Sequence, residues 1–305
     1  MSVRIGYGLG TAAAGPPDAS GLRQLAEALE RHEFDSLWLS ERIGSDTVDP
    51  VVGLTYVAAV TSRLKLGFSV LVLPGRNPAL LAKQLASLDR LSGGRLLPAF
   101  GLGAPHPNEH QAFAVEPDQR APWLEEALPL LRRFWREDRV DHEGERFHFR
   151  DVAVRPKPLG RMDVWLGGAG EKQLARVGRL ADGWLGSFAT PEEAGAARRS
   201  IERAAADHGR EVDPGHFGVI VTYTRGPLAA QHAEALMARG RRGRPPVPVD
   251  DLVAQGSSAV VPLLERLVAN GVTKFVLVPL HSVDDWDAEL AGLAGVVASL
   301  QGAAV

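Results

Sequence analysis

The stretch from Leu64 to Glu109 constrains this chain most, because it reads as one complete strand, helix and strand. Lys65 to Leu73 is an almost unbroken apolar run, as expected of a strand buried on both faces in a parallel sheet under helices. Asn77 is placed to cap a helix with Pro78 at its first position. Leu81, Leu85, Leu88 and Leu91 then recur at helical spacing, giving a face that can lie on the sheet. Gly93 and Gly94 stop that helix. A second apolar strand, Leu96 to Leu102, opens into a loop carrying His106, Asn108 and Glu109.

The same rhythm continues on both sides. Upstream come a strand at Val3 to Gly8, a helix at Asp18 to His32, a strand at Ser36 to Ser40 and a helix from Asp49 and Pro50 to about Thr61. Downstream come a helix at Ala121 to Trp135, a hairpin at Val140 to Phe149, and strands at Asp163 to Leu166, Trp184 to Ser187, Phe217 to Tyr223 and Lys274 to Pro279. Helices fill the intervals at Glu171 to Leu180, Pro191 to His208, Ser257 to Asn270 and Val283 to Leu300. Eight strands with intervening helices predict an α/β protein of the (β/α)8 TIM-barrel class. With 305 residues against roughly 250 for a typical barrel, one domain over 1–305 accommodates two insertions, at about 138–160 and 224–250. Gly8, Gly10 and Ala13 imitate a dinucleotide-binding turn, but Gly15, Pro16 and Pro17 interpose a loop where a Rossmann helix would have to start at once.

Composition narrows the partners. A net charge of −3 gives no electrostatic reason to expect nucleic acid or an anionic membrane. The absence of cysteine excludes disulfides, thiolate nucleophiles and Cys metal sites. No apolar run reaches transmembrane length and no secretory leader is visible, so a cytoplasmic protein acting on a small molecule is the expectation.

Barrel sites lie at the ends of strands, which singles out the polar residues there. Glu41 and Arg42 follow the second strand, and Glu109 follows the fourth. Glu41 reads nearly as well as an ion-pair partner of Arg42 or another base, and Glu109 as a solvated loop or helix-start carboxylate. Arg42, always cationic, cannot serve as a general base at neutral pH. Arg42, His106 and His281 are candidate substrate contacts. The run HPNEH is not a metal signature, since Pro107 disfavours continuous helix through it, and no metal is expected. Gly167, Gly168, Ala169 and Gly170 lie between a strand and the helix starting at Glu171, where free backbone N–H groups form an anion site.

LDRLSGGR followed by a strand, GLG and an Asn-Glu pair resembles the luciferase-like monooxygenase superfamily, and most closely its branch that uses the deazaflavin coenzyme F420. EFDSLWLSER, R-x-x-W-L-E-E-A-L and GGAGEKQLARVGRLADGW match further along the chain, although Arg42 stands where that branch usually has His. The resemblance implies a non-prolyl cis peptide between Ser69 and Val70 against the cofactor ring. It also implies Asn108 and Glu109 beside the ring, with Glu109 as proton donor, and the cofactor phosphate on Gly167 to Gly170. The implied activity is hydride transfer between the cofactor C5 and an organic substrate, in a homodimer formed through the helices at 49–61 and 77–91. Alternatives are an FMN-dependent two-component monooxygenase on the same fold and a non-catalytic flavin- or deazaflavin-binding protein. A phosphate-handling barrel aldolase or isomerase would want a Schiff-base lysine or metal cluster at strand ends, and neither is evident.

Overall fold

Eight parallel strands close on themselves in the computed structural model, which describes residues 2–10, 18–104, 106–241 and 243–301. The order is β1 (Arg4–Leu9), α1 (Ala19–Arg31), β2 (Ser36–Leu39), α2 (Pro50–Val60), β3 (Lys65–Phe68), β4 (Leu71–Val72) and α3 (Pro78–Leu91). Next come β5 (Leu96–Leu97), β6 (Ala99–Gly101), α4 (Pro107–Phe113), α5 (Arg120–Arg136), β7 (Val140–Glu143), β8 (His148–Val152), β9 (Trp165–Gly167) and α6 (Glu171–Leu180). The chain continues through β10 (Gly183–Ser187), α7 (Pro191–Ala206), β11 (Phe217–Thr224), α8 (Ala230–Gly240), β12 (Val253–Gln255), α9 (Val260–Ala269), β13 (Lys274–Pro279) and α10 (Trp286–Gln301).

Closure follows from two interrupted strands. The expected strand Lys65 to Leu73 is split into β3 and β4 around Ser69–Val70, whose peptide is cis as the resemblance implied. The expected strand Leu96 to Leu102 is split into β5 and β6 at Pro98, which has no N–H to give the ladder. β3 pairs with β2 and β5, while β4 pairs with β6, and β6 leads through β9, β10, β11, β13 and β1 back to β2. The path therefore ends on the strands from which it began, and the (β/α)8 barrel is met.

Helix ends follow their local chemistry. Asn77 Oδ1 accepts from Ala79 N at 2.9 Å and Pro78 occupies the first turn of α3, as read from the sequence. Leu81, Leu85 and Leu88 are buried, whereas Leu91 is 72% exposed and lies off that face. Three elements were not expected from the sequence. The loop after β6 contains α4, because Pro107 sits in the first turn, where its missing N–H costs nothing, and His106 caps it. The 224–250 excursion carries α8 and is followed by β12, three residues pairing in parallel with β11. The hairpin β7–β8 is held against α5 by Glu126, which accepts from Phe147 N at 3.1 Å and contacts His142 Nε2 at 3.0 Å.

Bulky side chains fill the barrel where glycines make room. A Cβ at Gly67 would lie 2.3 Å from the Trp38 ring, and one at Gly8 would lie 2.8 Å from Val276 Cγ1. The glycine-rich first strand thus serves close packing inside a barrel; Ala13, Gly15, Pro16 and Pro17 lie outside the described residues.

At the start of the strands Lys274 Nζ meets Asp35 Oδ2 at 2.6 Å and sits 5.7 Å from the Trp38 ring centroid, with Lys65 Nζ 3.1 Å from Asp35 Oδ1. Burial favours the neutral acid, but the two lysines outweigh it and hold Asp35 at about 2, below its ordinary 3.8. The stabilisation from this carboxylate is complete above its unfolded value and is lost as pH falls through about 2. Lys274→Met removes the buried partner of Asp35 and leaves it only the half-exposed Lys65, so stability is expected to fall by about 3 kcal/mol. Urea unfolding at neutral pH checks this; a loss below about 1 kcal/mol would show the pair to be dispensable.

Candidate active site

The interruption in the third barrel strand draws several strand ends together. Ser69 N donates to Leu39 O at 2.9 Å, and Glu41 N donates to Val70 O at 3.3 Å, so the ends of β2 and β3 are tied across the break. Ser40 Oγ donates to Ser69 O at 3.0 Å and also lies 3.0 Å from Ser69 Oγ. The Val70 side chain projects between the ends of β6 and β9: a Cβ at Gly101 would come within 2.5 Å of Val70 Cγ2, and one at Gly167 within 3.3 Å of Val70 Cγ1. Ser69, Val70 and Gly167 are thereby brought together, and Ser40, which lies within EFDSLWLSER but is not singled out by that match, joins them.

Glu41 is fully engaged. Its Oε2 accepts from Val72 N at 2.7 Å and its Oε1 pairs with Arg76, whose Nε donates to Val72 O at 2.9 Å. The carboxylate is 3% exposed. Burial pushes it up from its ordinary value, against the pull of Arg76 and the Val72 N–H. The base that pairs with it is Arg76 rather than its neighbour Arg42. Arg42 is half-buried in the turn after β2, where its carbonyl accepts from Ser45 Oγ at 3.0 Å.

Glu109 lies in the first turn of α4, buried with 3% exposure, and its Oε1 accepts from Ile43 N at 3.0 Å. That bond joins α4 to the turn after β2. Its Oε2 has no hydrogen-bond partner among the described residues. Asn108 is exposed beside Gly44, and a Cβ at Gly44 would lie 3.9 Å from its Nδ2. His106 is exposed at the helix start, its Nδ1 accepting from Asn108 N at 3.4 Å.

The glycine loop differs from the sequence reading in one respect. The N–H groups of Ala169 and Gly170 are not free: both donate to Gln173 Oε1, at 2.9 and 3.1 Å. The signal was present, since a Gln three residues after a helix cap is half of a capping box. The N–H groups of Glu171 and Lys172, in the first turn of α6, keep no acceptor among the described residues. Gly168 has φ +141, and Trp184 Nε1 donates to its carbonyl at 2.8 Å.

His281 is not brought to this group by any contact among the described residues. Its Nε2 lies 2.8 Å from Glu289 Oε1 on α10, and its ring meets that of Tyr223 edge-on. Tyr223 Oη donates to the same carboxylate at 2.7 Å and lies 2.9 Å from Tyr7 Oη. The 224–250 excursion reaches the end of β10: Arg241 Nη1 donates to Phe188 O at 3.0 Å and pairs with Glu193 at 2.7 Å. Arg239 and Arg244 flank it in sequence, while Arg242 lies outside the described residues.

A family model described as luciferase-like monooxygenase matches residues 2–254. The chain belongs to the luciferase-like monooxygenase family. An F420-dependent glucose-6-phosphate dehydrogenase of Kineococcus radiotolerans is 32% identical over 173 residues, 54% of this chain and 51% of the relative. The chain spans about half the length of the curated relatives it matches. Two solved structures share the fold. An F420-dependent secondary alcohol dehydrogenase in complex with an F420-acetone adduct superposes with a TM-score of 0.81 at 20% identity, covering 98% of this chain and 99% of that one. A coenzyme F420-dependent tetrahydromethanopterin reductase from Methanopyrus kandleri gives 0.75 at 18% identity, covering 96% and 98%. No helix among the described residues is long and apolar enough to cross a membrane.

Proposed function

We propose that this protein binds coenzyme F420 at the mouth of the barrel and is an oxidoreductase acting on a small organic molecule. The observation that carries the reading is the convergence of Val70, Gly101 and Gly167, where glycines leave backbone and one branched side chain as the floor of the mouth. A flat ring fits such a floor. Relatives that depend on F420 support the identity of that ring. When bound, the deazaflavin supplies a carbon, C5, that gives or accepts a hydride.

The roles of the chain's own residues follow from their surroundings. Gly167, Gly168, Ala169 and Gly170, with the open N–H groups of Glu171 and Lys172, would hold the cofactor's phosphate, and Gln173 must release its two N–H partners for the loop to contribute fully. Glu109, steered by Ile43 N–H and with Oε2 open, would hold the proton that accompanies hydride transfer, with Asn108 beside it. Glu41, having both oxygens engaged, is read as the residue that positions the interrupted strand. Arg42 and His106 border the mouth as candidate substrate contacts, and His281 would act only through the layer beneath α10.

The reading extends to the whole chain. Residues 1–305 are taken as one luciferase-like domain with insertions at about 138–160 and 224–250, which the single closed sheet supports. A homodimer through α2 and α3 is supported by Val52 and Leu80, each 68% exposed on those helices. Sedimentation should give twice the chain mass; a monomer mass at every concentration would dismiss this arrangement. For the activity, reduced and oxidised F420 are offered with panels of alcohols, aldehydes and sugar phosphates while deazaflavin absorbance is followed. Substrate-dependent change in that absorbance is expected, and its absence with every class in both directions would remove the enzyme reading.

A further inference from the structure

An arginine-lined concavity lies at the end of the barrel where the strands begin. A cavity of about 540 Å³ lies where β9 and β10 begin, lined by Arg132, Arg136, Arg161, Arg210, Trp135 and Asp182 among others. That is within the size range of small-molecule sites. Asp182 is the one carboxylate in the wall: Arg132 and Arg161 bond it at 2.5 and 2.8 Å, with Arg210 3.7 Å away. Asp163 takes Arg161 Nε at 3.1 Å. Four guanidiniums thus face two carboxylates, leaving an excess of two positive charges in one concavity.

Part of this cluster is structural. Arg132 donates to Leu180 O, and Arg210 donates to Gly178 O at 2.7 Å and Ala181 O at 2.8 Å, so these two close the C-terminus of α6. They also cover the carbonyls that would repel an anion there. Arg136 and Arg161 have no such duty. Arg136 uses only Nε, on Arg132 O at 3.2 Å, and both its terminal amino groups keep no partner among the described residues; Arg161 Nη1 is likewise uncommitted. Burial, then the neighbouring charge of Arg132, holds Arg210 below its ordinary value, while Asp182 and then Asp163 hold Arg161 above its own.

We propose that this concavity binds a compact organic polyanion, its phosphate or paired carboxylate groups held by the free donors of Arg136 and Arg161 over the Arg132–Asp182–Arg210 base. Planar guanidinium forks match both anion types, and charge-assisted bonds are the strong ones. The site is independent of the deazaflavin reading, since Gly167 to Gly170 lie at the opposite end of β9.

Equilibrium dialysis with inorganic pyrophosphate and with citrate tests it on three proteins: the parent, Arg136→Gln/Arg161→Gln, and Gly168→Asp. Arg136 is exposed and Arg161 is 77% exposed, so the double variant is expected to fold as the parent does. Saturable binding of at least one probe below roughly 10 mM is expected in the parent and in Gly168→Asp, weakened at least about tenfold in the double variant. Pyrophosphate binding alone would assign a phosphate ligand, and citrate binding alone a polycarboxylate. Saturation by neither probe, or unchanged affinity in the double variant, would overturn the site. Binding lost in Gly168→Asp but kept in the double variant would also overturn it, placing the anion in the glycine loop.

Discussion

Gly168→Asp is expected to weaken deazaflavin binding by at least about 100-fold, or about 2.7 kcal/mol. Two costs combine. At φ +141 a non-glycine residue is strained and its Cβ would lie 2.7 Å from Gln173 Cβ, so the loop must shift from the geometry that aims its N–H groups at the phosphate. The new carboxylate would also stand beside N–H groups proposed to receive a phosphate, repelling it. Fluorescence titration reads the affinity, and circular dichroism verifies that the barrel is intact. Affinity equal to the parent's in a folded variant would move the phosphate site elsewhere, with Arg76 and the turn after β2 next to be tested.

Glu109→Gln is expected to separate rate from affinity. The amide oxygen can still accept from Ile43 N, so the link between α4 and the turn after β2 survives, and cofactor affinity should stay within about threefold. The amide cannot give up a proton as a carboxylic acid does, and losing a general acid typically costs about 10²–10⁴-fold in rate. Turnover at saturating cofactor and substrate is the measurement. The parent's rate in this variant would end the proton-donor assignment.

The barrel was legible because each strand is a local apolar run bounded by turn residues, and β13 has the boundaries that Lys274 and Pro279 suggested. What escaped was set by distance or by subtle local chemistry. Nothing near Glu41 announces Arg76, 35 residues on, as its partner, and Asp35 and Lys274 meet across 239 residues. α4 was missed because Pro107 was read as a helix breaker when the first turn tolerates it. β12, at three residues, is too short to leave a periodic signal. For the site, composition and spacing reached the strand ends, while the cis peptide at Ser69–Val70 came only from resemblance. The hold of Gln173 on the glycine loop lay within reach of a capping-box reading.

An anaerobic titration of the purified protein with oxidised F420 and, separately, with FMN reads the identity of the cofactor. Saturable binding of F420, seen as a change in its fluorescence and absorbance, is expected, with FMN unable to displace it at equal concentration. Saturable binding of FMN with none of F420 would contradict the account and make this a flavin-dependent member of the family.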